Sequence, residues 1–164
     1  MILRTATAED LPFLHLMLYE AACWRPGDRP PPEQALESPR VSRYLAGWGR
    51  RGDEGVVAVE HGQPLGAAWF RLFPSAERGH GFVAEDVPEL TIAVDPEARG
   101  RGVGLALLRS LVERARASGH ESLSLSVEAD NEVAVRLYRR AGFETVATDG
   151  GGWTMQRRID DSAP

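Results

Sequence analysis

The stretch Glu89-Leu-Thr-Ile-Ala-Val-Asp-Pro-Glu-Ala-Arg-Gly-Arg-Gly-Val-Gly104 decides the fold. Glu89–Val94 alternates, with Leu90, Ile92 and Val94 on one face, and predicts a strand. A helix follows from Gly102 to about Ser118. Val103, Leu107, Leu108, Leu111, Val112 and Ala115 form its apolar stripe. Gly119 fits the C-terminal cap. Between strand and helix, glycines at 100, 102 and 104 let backbone N–H groups approach an anion without interference from a Cβ. The first N–H groups of a helix have no internal partner, and its macrodipole favours negative charge. Arg99 and Arg101 add positive charge nearby. This is a general recipe for holding the pyrophosphate of a nucleotide-type cofactor. Taken alone, the same residues also read as a plain glycine-rich turn.

Two common phosphate loops do not match. A P-loop needs Gly-Lys-Ser/Thr, and all 19 basic residues here are arginine. The dinucleotide fingerprint needs a third glycine where Leu105 stands, or Leu107 when counted from Gly102. That fingerprint also follows the first strand of its domain, whereas about four strands precede this loop. The missing lysine also removes any lysine-based Schiff-base chemistry.

Upstream, Ile2–Thr5 reads as a short strand. Thr7-Ala8-Glu9-Asp10 has the form of a capping box opening a helix near 8–22, with Leu11, Leu14 and Leu18 at helical spacing. The proline-rich segment Arg25–Pro32 is a loop, and 33–48 is predicted as two helical pieces broken at Pro39. Val56–Glu60 and Leu65–Phe73 form a hairpin about His61-Gly62-Gln63-Pro64, and Phe73–Asp86 is a loop. Downstream, Leu123, Leu125 and Val127 alternate with serines as a strand. A short helix is expected from Asn131 to Arg140, ended by Gly142, then a final strand Trp153–Arg157 and a frayed tail at 160–164.

The 164 residues suit one mixed α/β domain, 1–159, built on one sheet. A net charge of −5 argues against general nucleic-acid binding. No apolar run approaches the roughly 18 residues needed to span a bilayer, and no secretory signal opens the chain, so the expected location is cytoplasmic. Cys23, the single cysteine, offers neither an internal disulfide nor a cysteine metal site, and is expected as a small buried side chain. His15, His61, His80 and His120 lack metal spacing, so no metal is expected.

About 30 residues beyond the loop stands Asn131-x-x-Ala134-x-x-Leu137-Tyr138-x-x-x-Gly142-Phe143. Together with Glu89–Gly104 it resembles the GNAT superfamily of N-acetyltransferases. The resemblance is motif-specific across Glu89–Phe143 and extends in element order over Ile2 to about Ile159. It implies an acyl-CoA N-acyltransferase fold of order β-α-α-β-β-β-α-β-α-β, in which two central parallel strands, Glu89–Val94 and Leu123–Val127, splay apart.

The resemblance also implies acetyl-CoA as cosubstrate. Arg99, Gly100, Arg101, Gly102, Val103 and Gly104 would cradle its pyrophosphate. The backbones of Ile92, Ala93 and Val94 would pair with the pantetheine arm as an added strand, one N–H polarising the thioester carbonyl. Asn131 would contact the pantetheine or adenosine. Tyr138 would protonate the leaving thiolate; a phenol at about 10 and a thiol at about 8.5 make the transfer mildly uphill in water. For the base, Glu89 is the first choice, with Glu85, Asp86 or a water chain as alternatives. Ser126 stands where some ribosomal-protein acetyltransferases carry a glutamate. The acceptor pocket would come from the first helices, the 73–86 loop and the meander. Tyr19, Trp24, Trp48, Trp69, Phe70 and Phe82 are its aromatic candidates, with Trp24 or Trp69 available for cation–π contact. The implied activity is direct transfer of acetyl to a primary amine of a small acceptor, by a protein compatible with a homodimer and without nucleic-acid or membrane partners. A non-catalytic acyl-CoA-binding or sensing module is the alternative.

Overall fold

A computed structural model describes residues 1–159, so the expected tail at 160–164 lies outside the described residues. The strands are β1 (Ile2–Thr5), β2 (Glu54–Glu60), β3 (Gln63–Arg71), β4 (Glu89–Val94), β5 (Ser122–Glu128), β6 (Glu144–Asp149) and β7 (Gly152–Arg158). The helices are α1 (Leu11–Ala22), α2 (Pro32–Glu37), α3 (Pro39–Ser42), α4 (Val103–Ala117) and α5 (Glu132–Arg140). One sheet of order β1-β2-β3-β4-β5-β7-β6 carries them all.

The centre of that sheet is open. β3 pairs with β4 along its length, from Gly66↔Val94 to Arg71↔Glu89. β5 pairs with β7 from Ser122↔Arg158 to Glu128↔Gly152. Between the parallel neighbours β4 and β5, only Glu89↔Ser124 are in register, with the Ser124 N–H donating to Pro88 O at 3.0 Å. Each strand is therefore satisfied on its outer edge and diverges on its inner one, which is the expected splay.

The two faces carry separate cores. On one, the α4 stripe Val103, Leu107, Leu108, Leu111 and Val112 packs on Leu90, Ile92, Leu123, Leu125 and Met155. Each fully buried large aliphatic side chain contributes about 1.5–3 kcal/mol. On the other, Leu14, Met17 and Leu18 of α1 pack with Tyr44, Leu45, Ala67, Trp69 and Phe73. Beside that second core, Arg71 is buried with Asp53. Its Nε and Nη2 donate to the carboxylate at 3.0 and 2.7 Å, and Nη1 reaches the carbonyls of Arg43 and Ala46. Every donor of this buried cation that faces inward has an acceptor, which is what makes its burial tolerable.

The capping box forms: the Thr7 N–H donates to Asp10 Oδ2 at 2.7 Å. A 3-10 turn, Ala8–Asp10, precedes α1. The expectation of a single terminal strand is corrected, because β6 precedes β7. All six β6 residues are exposed. An edge strand with neither face buried has no need of apolar alternation, so the pattern that reveals strands is missing from Glu144–Asp149. Among the described residues no helix is long and apolar enough to cross a membrane.

Candidate active site

The chain leaves β4 through a 3-10 turn capped by Asp95, whose Oδ1 accepts the Glu97 N–H at 2.9 Å. Gly100 and Gly102 then adopt φ of 75° and 82°, left-handed values that strain any residue with a Cβ. A Cβ at either position would meet nothing within 4 Å, so the loop opens outward there. Gly104 serves a different need, since a Cβ on it would come 3.2 Å from Leu137 of α5. Among the described residues, the first N–H after the loop with a backbone acceptor is that of Ala106, on Gly102 O at 3.1 Å. Uncapped donors at the positive end of a 15-residue helix, beside glycines without side chains, fit a pyrophosphate. The arginines are less free than their sequence suggests. Arg99 pairs with Glu20 at 3.2 Å and reaches Val94 O; Arg101 pairs with Glu60 at 2.5 Å and holds that carboxyl below its usual range.

The inner edge of β4 lines the splay. The Asp95 N–H donates to Leu65 O on the β3 side. Hydrogen bonding alternates along an antiparallel ladder, so Ala93 turns its backbone toward β3, where it is in register with Ala67. Ile92 and Val94 turn theirs toward β5. Of the three residues expected to pair with an extended arm, these two face the splay, where the Val94 carbonyl already accepts from Arg99 Nε at 3.2 Å.

Tyr138 lies on α5 with its ring edge-on to Phe143, the centroids 6.2 Å apart. It is 8% exposed. Burial pushes its phenol up to about 12. Its hydroxyl makes no hydrogen bond among the described residues, so it is a neutral, uncommitted donor. Asn131 caps α5, its Oδ1 accepting the Ala134 N–H at 3.3 Å, which leaves its amide hydrogens for other contacts.

Glu89 is enclosed. It is 2% exposed. Its Oε1 accepts from Tyr44 Oη at 2.8 Å and from the Gly81 N–H at 2.7 Å. Tyr44 Oη in turn accepts the His80 N–H at 2.8 Å. The segment Gly79–Gly81 thus closes over the carboxyl. A Cβ on Gly79 would fall 2.0 Å from Glu89 Oε2, and one on Gly81 would fall 2.4 Å from the Leu125 carbonyl carbon. Burial raises the Glu89 carboxyl to about 7, the bonds from Tyr44 and Gly81 opposing, and pushes the Tyr44 phenol well up. The alternative carboxylates differ. Glu85 is exposed and held below its usual range by the Ser75 N–H. Asp86 is exposed.

The aromatic candidates separate clearly. Trp69 and Phe70 are core, and Trp69 Nε1 donates to Tyr44 O at 3.0 Å, which removes Trp69 as a cation–π surface for an acceptor. Trp48 packs edge-on to Trp69. Tyr19 donates to Pro30 O at 2.7 Å with Arg29 over its ring. Trp24 donates to Glu128 and lies under Arg25, which pairs with Glu128 and Asp130. The α1–α2 loop is thereby tied to the far end of β5. Phe82 is half-buried beside Arg78. Cys23 is half-buried, with burial raising its thiol. Sequence reasoning missed Tyr44 and the Gly79-His80-Gly81 roof. The paired glycines in a loop were the only local signal, and nothing local connects them to Glu89.

A splayed parallel pair opening onto a helix N-terminus defines a domain built to hold an extended, phosphate-bearing ligand across its sheet. A sequence model of the acetyltransferase (GNAT) family matches residues 16–143, and the chain belongs to that family. The mycothiol acetyltransferase of Cellulomonas flavigena is 39% identical over 95 residues, which are 57% of this chain and 27% of that protein. The chain thus spans about a quarter of the length of the curated relatives it matches. Among solved structures, the ribosomal-protein-alanine N-acetyltransferase from Brucella melitensis superposes with a TM-score of 0.70 at 28% identity, over 97% of this chain and 100% of that one. A phosphinothricin acetyltransferase from Sinorhizobium meliloti, solved with acetyl-CoA, gives 0.66 at 26% identity over 96% and 88%.

Proposed function

We propose that this chain transfers an acetyl group from acetyl-CoA to a primary amine of a small acceptor. The observation that carries the reading is the β4–β5 splay opening onto the bare N-terminus of α4. Bound acetyl-CoA supplies an activated thioester. The N–H groups of Gly100 to Gly104, flanked by Arg99 and Arg101, hold its pyrophosphate. Ile92 and Val94 offer backbone groups to the pantetheine arm, and an N–H on this edge polarises the thioester carbonyl. Asn131 offers its amide hydrogens from the cap of α5.

Tyr138 donates the proton that the departing sulfur needs. Its raised phenol stays protonated through the neutral range, and the same burial that raises it also raises a thiol placed beside it. Glu89 is the base. An acid near 7 matches a neutral operating pH better than the lowered Glu85 carboxyl. Because the carboxyl is enclosed, it receives the amine proton through water rather than by direct contact. The mycothiol acetyltransferase name of the relatives supports a small-molecule acceptor.

The test is acetyl-CoA turnover against a panel of amino acids, polyamines, aminoglycosides and alanyl peptides, read by thiol release and product mass. Absence of calorimetric heat with CoA overturns the reading. The enclosure of Glu89 favours one second reading, a non-catalytic acyl-CoA-binding module. Tight CoA binding without thiol release across the panel decides for that module.

A further inference from the structure

Two of the buried side-chain atoms without a partner among the described residues are Glu89 Oε2 and Ser124 Oγ. They belong to the one pair of residues that joins β4 to β5 in register. Leu90, Leu123 and Leu125 enter the α4-side core, and side chains alternate along a strand. Glu89 and Ser124 therefore project together on the opposite face. Gly79 lies against Glu89 Oε2 and Gly81 against the Leu125–Ser126 peptide, so the Gly79–Gly81 segment runs from the carboxyl to β5 just beyond the buried Ser124. The neighbour of Ser124 on β7, Gln156, is already engaged, its Nε2 donating to Ser122 Oγ at 3.0 Å.

We propose that one water bridges Glu89 Oε2 and Ser124 Oγ, and that Ser124 thereby acts as a positioning residue for this carboxyl. A single water supplies a donor to the carboxylate oxygen and a partner to the hydroxyl, meeting both needs at once. Beyond Ser124, the next side chain on that face of β5 is the exposed Ser126, so the hydroxyl row leads from the closed carboxyl toward the splay. A proton leaving the acceptor ammonium ends on Glu89 as a neutral carboxyl, with no redox change. The groups around the carboxyl are Tyr44 and Arg43 from the segment after α3, His80 from the roof, and Arg71 in register on β3, which is committed to Asp53. α1 turns Leu14, Met17 and Leu18 inward, and on the Ser124 face β5 carries Ser122 and Ser126 while β7 carries Thr154, Gln156 and the exposed Arg158. The raised Glu89 carboxyl agrees with a site that accepts a proton near neutrality.

This inference rests on Glu89 as the base, and the experiment separates the two. The probe is the 13C carboxyl resonance of Glu89, assigned by its loss in Glu89→Gln and titrated in the full-length protein without any acceptor. Removing a donor to the ionised form raises an acid. Ser124→Ala is therefore expected to move the midpoint upward by about half a unit, with Ser124→Cys in between. An unmoved midpoint in folded Ser124→Ala overturns the bridge, as does a high-resolution crystal structure with no water between the two atoms. The base reading is judged apart, by whether Glu89→Gln removes the acid limb of the thiol-release pH profile. If Glu89→Gln removes that limb while Ser124→Ala leaves the midpoint unmoved, the base stands and the bridge falls.

Discussion

Tyr44 Oη donates to Glu89 Oε1 at 2.8 Å across 45 residues of sequence. The bond joins the helical N-terminal third to the first residue of the central strand. Tyr44 also receives the roof segment through the His80 N–H, so one hydroxyl fastens three parts of the chain around a buried carboxyl.

That carboxyl makes stability depend on pH. Glu89 sits near 7 in the folded protein against an ordinary glutamate value of 4.5. Its folded value is raised, so its contribution is fully present below about 4.5 and is lost as pH rises through about 7. The loss amounts to about 3 kcal/mol. Urea unfolding at pH 5 to 8 is expected to show a steeper decline for wild type than for Glu89→Gln, with the difference falling in that window. Parallel curves refute the assignment.

Gly79 and Gly81 are fixed by contact rather than by backbone conformation, since neither has a positive φ. Gly79→Ala and Gly81→Ala force the roof away from Glu89 and β5, at an expected cost of about 1–3 kcal/mol each. Thermal unfolding measures the cost. The Glu89 titration midpoint is expected to fall toward 4.5 as the carboxyl gains water.

Gly102 obeys the opposite rule. Its φ is 82°, with open space around it. Gly102→Ala is expected to cost about 1–2 kcal/mol of backbone strain and to weaken CoA binding about tenfold or more, as a methyl enters the cradle. Calorimetric titration with CoA checks this, and unchanged affinity would displace the pyrophosphate from the loop.

Tyr138→Phe removes a hydroxyl with no partner among the described residues. Stability is expected to stay level or rise slightly. In thiol-release assays kcat is expected to fall roughly ten- to a thousandfold while the Kd for CoA holds. An unchanged kcat removes the acid role.

Asp53→Ala leaves the Arg71 cation buried without its anion. The expected cost is about 3–5 kcal/mol by denaturant unfolding. The double replacement Asp53→Ala with Arg71→Met is expected to recover most of it.

The sequence by itself determined the β4–loop–α4 unit, the amphipathic α4, the α5 helix starting near Asn131 and the family these define. Each is written in local periodicity and in glycines whose conformational need lies in their own residue. It also placed Tyr138 on the helix that follows β5. Only the tertiary structure decided the rest. It assigned Ala93 to β3 and left Ile92 and Val94 to the splay, because register settles which backbone edge is free. It added β6, whose two exposed faces leave no apolar pattern to read. It sent Trp69 into the core and tied Arg99 and Arg101 to acidic partners. Above all it sealed Glu89 beneath Gly79–Gly81 with Tyr44. Those contacts join residues far apart in the chain, and their energies arise from burial, which exists only once the sheet has assembled.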